Sequence, residues 1–280
     1  MDTAHALGFE RLDASRNALA HTEFVEQHTE PTPAPERRPE WLKVKAPGGE
    51  TYANVKTMMR SKTLHTVCEE ARCPNISECW NAGTATFMIL GDTCTRSCGF
   101  CAVKTGRPPV LDVDEPQRVA DAVLSMNLKH AVITSVNRDE LADGGSRIFA
   151  DTILAVREAN PSITIEVLIP DFKGKIAALQ NIIDARPDVL NHNTETVPRL
   201  YRRVRPQAKY DWTLSVLKES KAQGLRTKTG IMLGLGEKRE ELLTVMQDLC
   251  DVGVDVFTLG QYLQPSRHHH PVLRYVTPQE

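Results

Sequence analysis

Seven cysteines stand at positions 68, 73, 79, 94, 98, 101 and 250, and six of them fall within 34 residues. They form two triplets, Cys68-x4-Cys73-x5-Cys79 and Cys94-x3-Cys98-x2-Cys101. Clustered cysteines in a long chain that is otherwise poor in them point to metal or redox chemistry rather than to disulfide staples. A structural zinc site takes four ligands, usually as two close pairs, and three plus three does not supply that pattern. A four-iron cluster has four metal corners that cysteine thiolates normally hold. Three cysteines therefore leave one iron open to a ligand, much as a catalytic zinc keeps one open position. A simple electron carrier has no need of such a corner. Zinc or structural thiols are the alternative, with more weight for the first triplet, whose spacing is less distinctive. Cys250 lies on the apolar side of a helical pattern with Leu242, Val245, Met246 and Leu249, and is expected to be a small buried core residue.

The rest of the chain sets limits on what surrounds these cysteines. It has 280 residues, 41% hydrophobic and 25% charged, with a formal net charge of −2. That balance argues against a dedicated nucleic-acid binder, which carries a basic excess. No apolar run approaches the ~20 residues of a membrane span. Met1 to Ala20 lacks the apolar core of a signal peptide, and residues 1–35 hold six acids and two bases, unlike a transit peptide. A cytoplasmic location is expected.

Residues 1–40 read as a flexible tail that ends in a Pro-rich, charged stretch (Glu30 to Pro39). Residues 41–86 form an N-terminal extension carrying the first triplet. From residue 87 to 280 strands alternate with helices. The expected strands are 87–91, 131–135, 164–169, 188–192, 227–233 and 256–262, short runs rich in Val, Ile and Thr, as strands buried on both faces are. The expected helices are 116–127, 146–159, 174–185, 195–203, 211–223 and 238–251, amphipathic stretches with Pro116 and Asp211 near two starts and Gly224 and Gly253 after two ends. Such alternation implies parallel strands with right-handed crossovers. The fold class is α/β: a partial (β/α)6 barrel of parallel strands with an N-terminal cysteine-bearing extension, an open doubly wound sheet being the alternative. In barrels the chemistry gathers at the carboxyl ends of the strands. Polar segments follow all six strands here, and the second cysteine triplet is in the first of them.

The segment Cys94-Thr-Arg-Ser-Cys98-Gly-Phe100-Cys101 resembles the signature of the radical S-adenosylmethionine superfamily. Several further segments are similar to the lipoyl synthase family: the upstream triplet, Gly91 to Cys98, Thr134 to Asp139, Asn191 to Glu195, Val204 to Pro206, Lys228 to Gly230, Gly234 to Glu237 and Gln261 to Leu263. This resemblance runs from about Arg38 to the end of the chain. It implies a sulfurtransferase that inserts two sulfur atoms, at C6 and C8 of an octanoyl chain amide-linked to a lipoyl carrier domain. The carriers would be 2-oxoacid dehydrogenase subunits and the glycine cleavage carrier protein, with reduced ferredoxin or flavodoxin as electron source. The implied cofactors are two 4Fe-4S clusters and S-adenosylmethionine, which is cleaved to methionine and a 5′-deoxyadenosyl radical.

By the same resemblance Cys94, Cys98 and Cys101 hold the radical-generating cluster. Cys68, Cys73 and Cys79 hold an auxiliary cluster dismantled to donate sulfur. Phe100 brings its backbone near the adenine. Thr134, Ser135, Asn137 and Arg138 lie where the methionine amino group binds. Asn191, Asn193 and Glu195 are placed toward the ribose or the methionine carboxylate. Gly234 and Glu237 match the superfamily's strand-five motif, and Tyr262 belongs to the segment after the last strand. Arg202, Arg203, Arg205 and Lys209 read as a solvated helix face, with a docking patch for acidic carriers as the alternative. His268 to His270 are expected on the substrate side or the surface. The family's Arg-Ser-Ser motif, whose serine ligates the auxiliary cluster, is absent from this sequence. A shortened chain is expected, with sulfur donation affected more than radical generation. A biotin-synthase-like sulfurtransferase and a non-catalytic iron–sulfur or zinc protein are the competing readings.

Overall fold

The computed structural model describes residues 37–43, 48, 53, 56, 57, 59, 60, 64–70, 76–81 and 84–280. Among them the strands are β1 (His65–Thr66), β2 (Thr84–Ile89), β3 (Thr93–Cys94), β4 (Lys104–Thr105), β5 (His130–Ser135), β6 (Thr164–Leu168), β7 (Val189–Asn191), β8 (Thr227–Leu233) and β9 (Val256–Gln261). The helices are α1 (Val67–Glu70), α2 (Ile76–Asn81), α3 (Glu115–Ser125), α4 (Ser146–Ala159), α5 (Ile176–Asp184), α6 (Tyr201–Val204), α7 (Tyr210–Ala222) and α8 (Arg239–Asp251). Seven strands form one sheet in the order β1-β2-β5-β6-β7-β8-β9. β1 runs antiparallel to β2, and each later neighbour is parallel to the one before it. The six parallel strands follow one another in chain order and the sheet does not close. That is the partial (β/α)6 arrangement the alternation implied.

Period-two burial sorts the two faces of the sheet. Ala85, Phe87 and Ile89 of β2, Ala131 and Ile133 of β5, Ile165 and Val167 of β6 and Leu190 of β7 share one core with Val123 of α3, Phe149 and Ile153 of α4, and Leu179 and Ile182 of α5. Thr134, Glu166, Asn191 and Lys228 alternate with these positions and belong to the opposite face. Met59, Leu64, Cys68, Ile76 and Trp80, ahead of β2, join the same core. A second core joins Val197, Leu200 and Val204 to Leu217, Ile231, Leu235, Val245, Leu249 and Tyr262.

Three expectations need correction, and three short strands went unread. The helix read over 195–203 does not form as one. Glu195 adopts left-handed φ 66 and bridges to Ile231. The chain then makes a 3-10 turn over Pro198–Leu200 before α6, because Pro198 lacks the N–H that a continuous helix needs. β9 is not buried on both faces: Val256 and Leu259 are exposed, since β9 is the last strand of an open sheet. Cys250 is exposed rather than in the core. The buried stripe of α8 runs through Val245 and Leu249, and the next residue is turned about 100° away. Lastly, β1 and the small parallel pair β3–β4 are two-residue strands too short to leave a periodic signal.

Candidate active site

The site begins where β2 ends. Leu90 and Gly91 both take left-handed backbone, φ 69 and 93, which turns the chain sharply out of the strand. For a leucine this conformation is strained, and buried side chains hold it. The Leu90 N–H donates to Glu115 Oε2 at 2.7 Å, and its carbonyl accepts from Arg138 Nη1 at 2.9 Å. Gly145, itself at φ 86, lies against the Leu90 side chain so closely that an added Cβ would overlap Leu90 Cδ1. Gly145→Ala is therefore expected to destabilise the metal-free protein by about 1–3 kcal/mol through overpacking and a left-handed alanine. Urea unfolding at neutral pH measures this, and an unchanged midpoint would contradict it.

The turn delivers the chain into the loop of Cys94, Cys98 and Cys101. Nearly every residue of this loop is tied down. Cys94 Sγ accepts from the Arg96 and Asn137 amides at 3.4 and 3.3 Å. The Thr95 N–H and hydroxyl both donate to Asn137 O. Gln207 Nε2 donates to Ser97 Oγ at 3.1 Å. Gly99 donates to Val204 O at 2.8 Å and accepts from the His270 N–H at 2.7 Å. His269 Nε2 lies 3.1 Å from Cys101 O; a carbonyl only accepts, so this nitrogen carries the proton. His269 and His270 therefore clamp the cysteine loop. Phe100 packs into the second core.

Cys98 and Cys101 share one environment. Burial pushes Cys98 up to about 12, opposed by Arg205 and reinforced by Cys101, Glu195 and Cys94. Burial also raises Cys101, with Cys94 and Glu195 adding to it. Thiols that resist ionisation to this degree become thiolates when a metal takes the place of their protons. The donor set, three soft sulfurs on one short loop, fits an iron–sulfur cluster. Among the described residues no three His, Cys, Asp or Glu side chains surround a single-ion position. In the first triplet, Cys68 is buried in the main core and Cys79 packs against it, while Cys73 lies outside the described residues.

The other expected residues surround the loop in different ways. Thr134 Oγ1 donates to Leu168 O at 3.0 Å. Arg138 braces the turn: besides Leu90 it donates to Pro109 O and Glu140. Glu237 accepts from the Gly234 and Leu235 amides at 2.7 and 2.9 Å and so folds the loop after β8. Tyr262 donates to His270 O at 2.8 Å, and burial raises its phenol, with Cys101 adding to the effect. Burial also raises the Glu195 carboxyl, against Arg205 and a hydrogen bond with Asn193. For Arg138, Glu237 and Tyr262 the visible contacts shape the protein rather than leave donors or acceptors open.

Ser135 Oγ and Asn191 Oδ1, on β5 and β7, are buried with no hydrogen-bond partner among the described residues, and so is Arg205 Nε. A buried unmade hydrogen bond is costly. Three of them near the thiol loop fit a polar ligand such as S-adenosylmethionine.

Sequence reading missed the part that Arg205 and Glu166 play in this site. Arg205, grouped above with a solvated face, is buried, donates to Asn193 O and Thr194 O and sits over the Tyr201 ring. Arg202, Arg203 and Lys209 are exposed. The spacing Tyr201, Val204, Arg205 is an inward-facing helical pattern that could have separated it. Glu166 accepts from Asn191 Nδ2 at 3.0 Å and from Lys228 Nζ at 2.9 Å. This bond turns the Asn191 amide so that its oxygen is left over. Burial works against the Glu166 charge, but His130, 3.7 Å away, and hydrogen bonds from Lys228 and Asn191 outweigh it and hold the carboxyl at about 2.

His192 predicts a pH dependence. Its Nδ1 donates to Ile169 O at 2.7 Å and its Nε2 accepts from Thr213 at 3.2 Å. Burial pushes its pKa from 6.5 down to about 4. Between those values the unfolded chain binds a proton that the folded chain refuses. Stability is thus full above pH 6.5 and falls as the pH falls toward 4, by on the order of 3 kcal/mol. Urea midpoints of the metal-free protein at about pH 7.5 and pH 5 should differ less for His192→Gln. Parallel losses in the two proteins would contradict the assignment.

Comparison with known proteins bears on most of the chain. Residues 88–249 match the family model of the radical SAM superfamily, and residues 11–73 match the N-terminal domain of lipoyl synthase. The chain is 62% identical over 245 residues to a lipoyl synthase of Rubrobacter xylanophilus, covering 87% of this chain and 76% of that one. It is 55% identical to a mitochondrial lipoyl synthase of Nematostella vectensis, covering 89% and 86%. In fold it is similar to the crystal structure of methylornithine synthase, with a TM-score of 0.52 at 14% identity over 78% of this chain and 69% of that one.

Proposed function

The chain belongs to the lipoyl synthase family of the radical S-adenosylmethionine superfamily, and from that premise we propose how its residues divide the work. The family's activity is insertion of two sulfur atoms into a carrier-bound octanoyl chain, with 4Fe-4S clusters and S-adenosylmethionine as cofactors. When bound, these cofactors supply the radical that removes hydrogen from an unreactive carbon, and the sulfur that replaces it.

Cys94, Cys98 and Cys101 hold the radical-generating cluster, and Cys68, Cys73 and Cys79 hold the auxiliary one. The observation that carries the first assignment is geometric: one loop at the end of β2 bears all three thiols and is held by hydrogen bonds with Asn137, Val204, His269 and His270. Ser135 and Asn191 receive the polar groups of S-adenosylmethionine, Asn191 through an oxygen that Glu166 leaves unpaired. Thr134, Asn137 and Asn193 line the same rim, and Phe100 presents its backbone toward the adenine. Arg138, Glu195, Gly234, Glu237 and Tyr262 set the shape of the loops.

The acceptors are octanoylated carrier domains of 2-oxoacid dehydrogenase subunits and of the glycine cleavage carrier, with ferredoxin or flavodoxin as reductant, in the cytoplasm. No described helix is long and apolar enough to cross a membrane. The test is anaerobic reconstitution with dithionite, S-adenosylmethionine and an octanoylated carrier peptide, read by mass. A gain of two sulfurs is expected in the reduced reaction, less two hydrogens once the product dithiol is oxidised to the disulfide. An unchanged peptide beside intact wild-type controls would overturn the proposal.

A further inference from the structure

Between the first two thiols of the cluster loop stands Arg96, whose side chain is 2% exposed. Its guanidinium grips two carboxylates at once. Nη1 and Nη2 donate to Asp171 Oδ2 and Oδ1 at 2.8 and 2.6 Å. Nε and Nη2 donate to Asp139 Oδ2 and Oδ1 at 2.8 and 3.0 Å. Asp171, fully buried, lies just past β6, and its Oδ1 also accepts from the Lys173 amide at 2.9 Å. Asp139 lies past β5 in the segment whose Asn137 amide donates to Cys94 Sγ, and its own amide donates to Thr95 Oγ1 at 3.1 Å. One side chain therefore joins the loops that follow β2, β5 and β6. Burial opposes the charge on Arg96, but the two carboxylates outweigh it and hold the guanidinium protonated. A lone buried charge would not persist here, and removing one partner leaves another uncompensated.

We propose that Arg96 is a positioning residue for the radical-generating cluster: through Asp139 and Asp171 it locks the Cys94–Cys98 segment onto the loop that meets S-adenosylmethionine. This rests on the assignment of Cys94, Cys98 and Cys101 as cluster ligands. Its consequence is that the loop is ordered before metal arrives. The geometry of Cys94 and of the Asn137 amide against its sulfur is set by a guanidinium whose hydrogen bonds go to Asp139 and Asp171. Such outer partners orient the atoms that bind a metal and tune it.

The test uses the full chain in two states. In the metal-free protein, Arg96→Gln is expected to speed backbone hydrogen exchange across residues 92–99 by about tenfold or more, with residues 146–159 unchanged, as a local opening does. In the reconstituted protein the same variant is expected to raise the KM for S-adenosylmethionine about 10–100-fold. The kcat should fall less, and the electron paramagnetic resonance of the reduced cluster should change shape. Arg96→Lys keeps the charge but cannot fork onto two carboxylates, so it should recover only part of each effect. Asp139→Asn leaves the Asp171 pair in place and should give intermediate values; it carries the test if Arg96→Gln does not fold. Wild-type exchange, KM and spectrum in Asp139→Asn, or full recovery in Arg96→Lys, would overturn the proposal. If the wild-type cluster ignored S-adenosylmethionine while metal-free exchange still responded to Arg96, the ligand assignment would fall instead.

Discussion

Replacing Cys98 with Ala is expected to reduce 5′-deoxyadenosine formation to background. The loss should exceed the ~10–100-fold that follows removal of an outer partner, because here a metal ligand itself is gone. Cys98 is the thiol that burial pushes to about 12. A cluster ligand must be a thiolate, and in that environment a bound metal takes the place of the proton. The iron content of an anaerobic preparation should fall from about eight to about four per chain, one four-iron cluster having been lost. The measurement is chromatography of the nucleoside product beside iron analysis of the same sample. Retained cleavage with undiminished iron would show that Cys98 is not a ligand.

Replacing Cys73 with Ala should separate two activities. Cleavage of S-adenosylmethionine should continue at a substantial fraction of the wild-type rate, while lipoyl product disappears. The physical ground is that the triplets sit on different elements. Cys68 and Cys79 belong to α1 and α2, ahead of the barrel strands, whereas the second triplet has its own frame of bonds from Asn137, Val204, Gln207, His269 and His270. Cys68 is a poorer probe, since it is buried in the main core and its loss also disturbs packing. Cys79→Ala is the companion variant. Product mass and nucleoside yield from one reaction read both effects. Full lipoyl yield from Cys73→Ala would remove the sulfur-donor role.

What could be read from the sequence was what is local. Ligand spacing is a property of a few neighbouring residues, so the motif of Cys94, Cys98 and Cys101 that marks the superfamily was legible. The strand at 227–233 and the helix at 146–159 have the observed bounds, because hydrophobic periodicity and flanking breakers agree there. The stretch 195–203 looked helical by pattern, but a left-handed Glu195 and Pro198 overrode the pattern. The roles of Arg96, Arg205 and Glu166 were not legible, since their meaning lies in distant partners. Arg96 meets Asp139 and Asp171 at separations of 43 and 75 residues, and Glu166 meets Lys228 at 62. Glu237 and Arg138 were found as positions, while their contacts with backbone groups of their own and neighbouring loops required coordinates. The triple histidine was expected on the substrate side or the surface, and only the fold shows His269 and His270 on the cysteine loop.

The central claim is that three thiolates leave one iron able to take S-adenosylmethionine. It is tested most directly by titrating the reduced, anaerobically reconstituted protein with that nucleotide and following the cluster's electron paramagnetic resonance. A saturable change in the signal, lost in Cys98→Ala, is the predicted result. A preparation that stays pale and metal-poor, or a signal indifferent to saturating nucleotide, would contradict it.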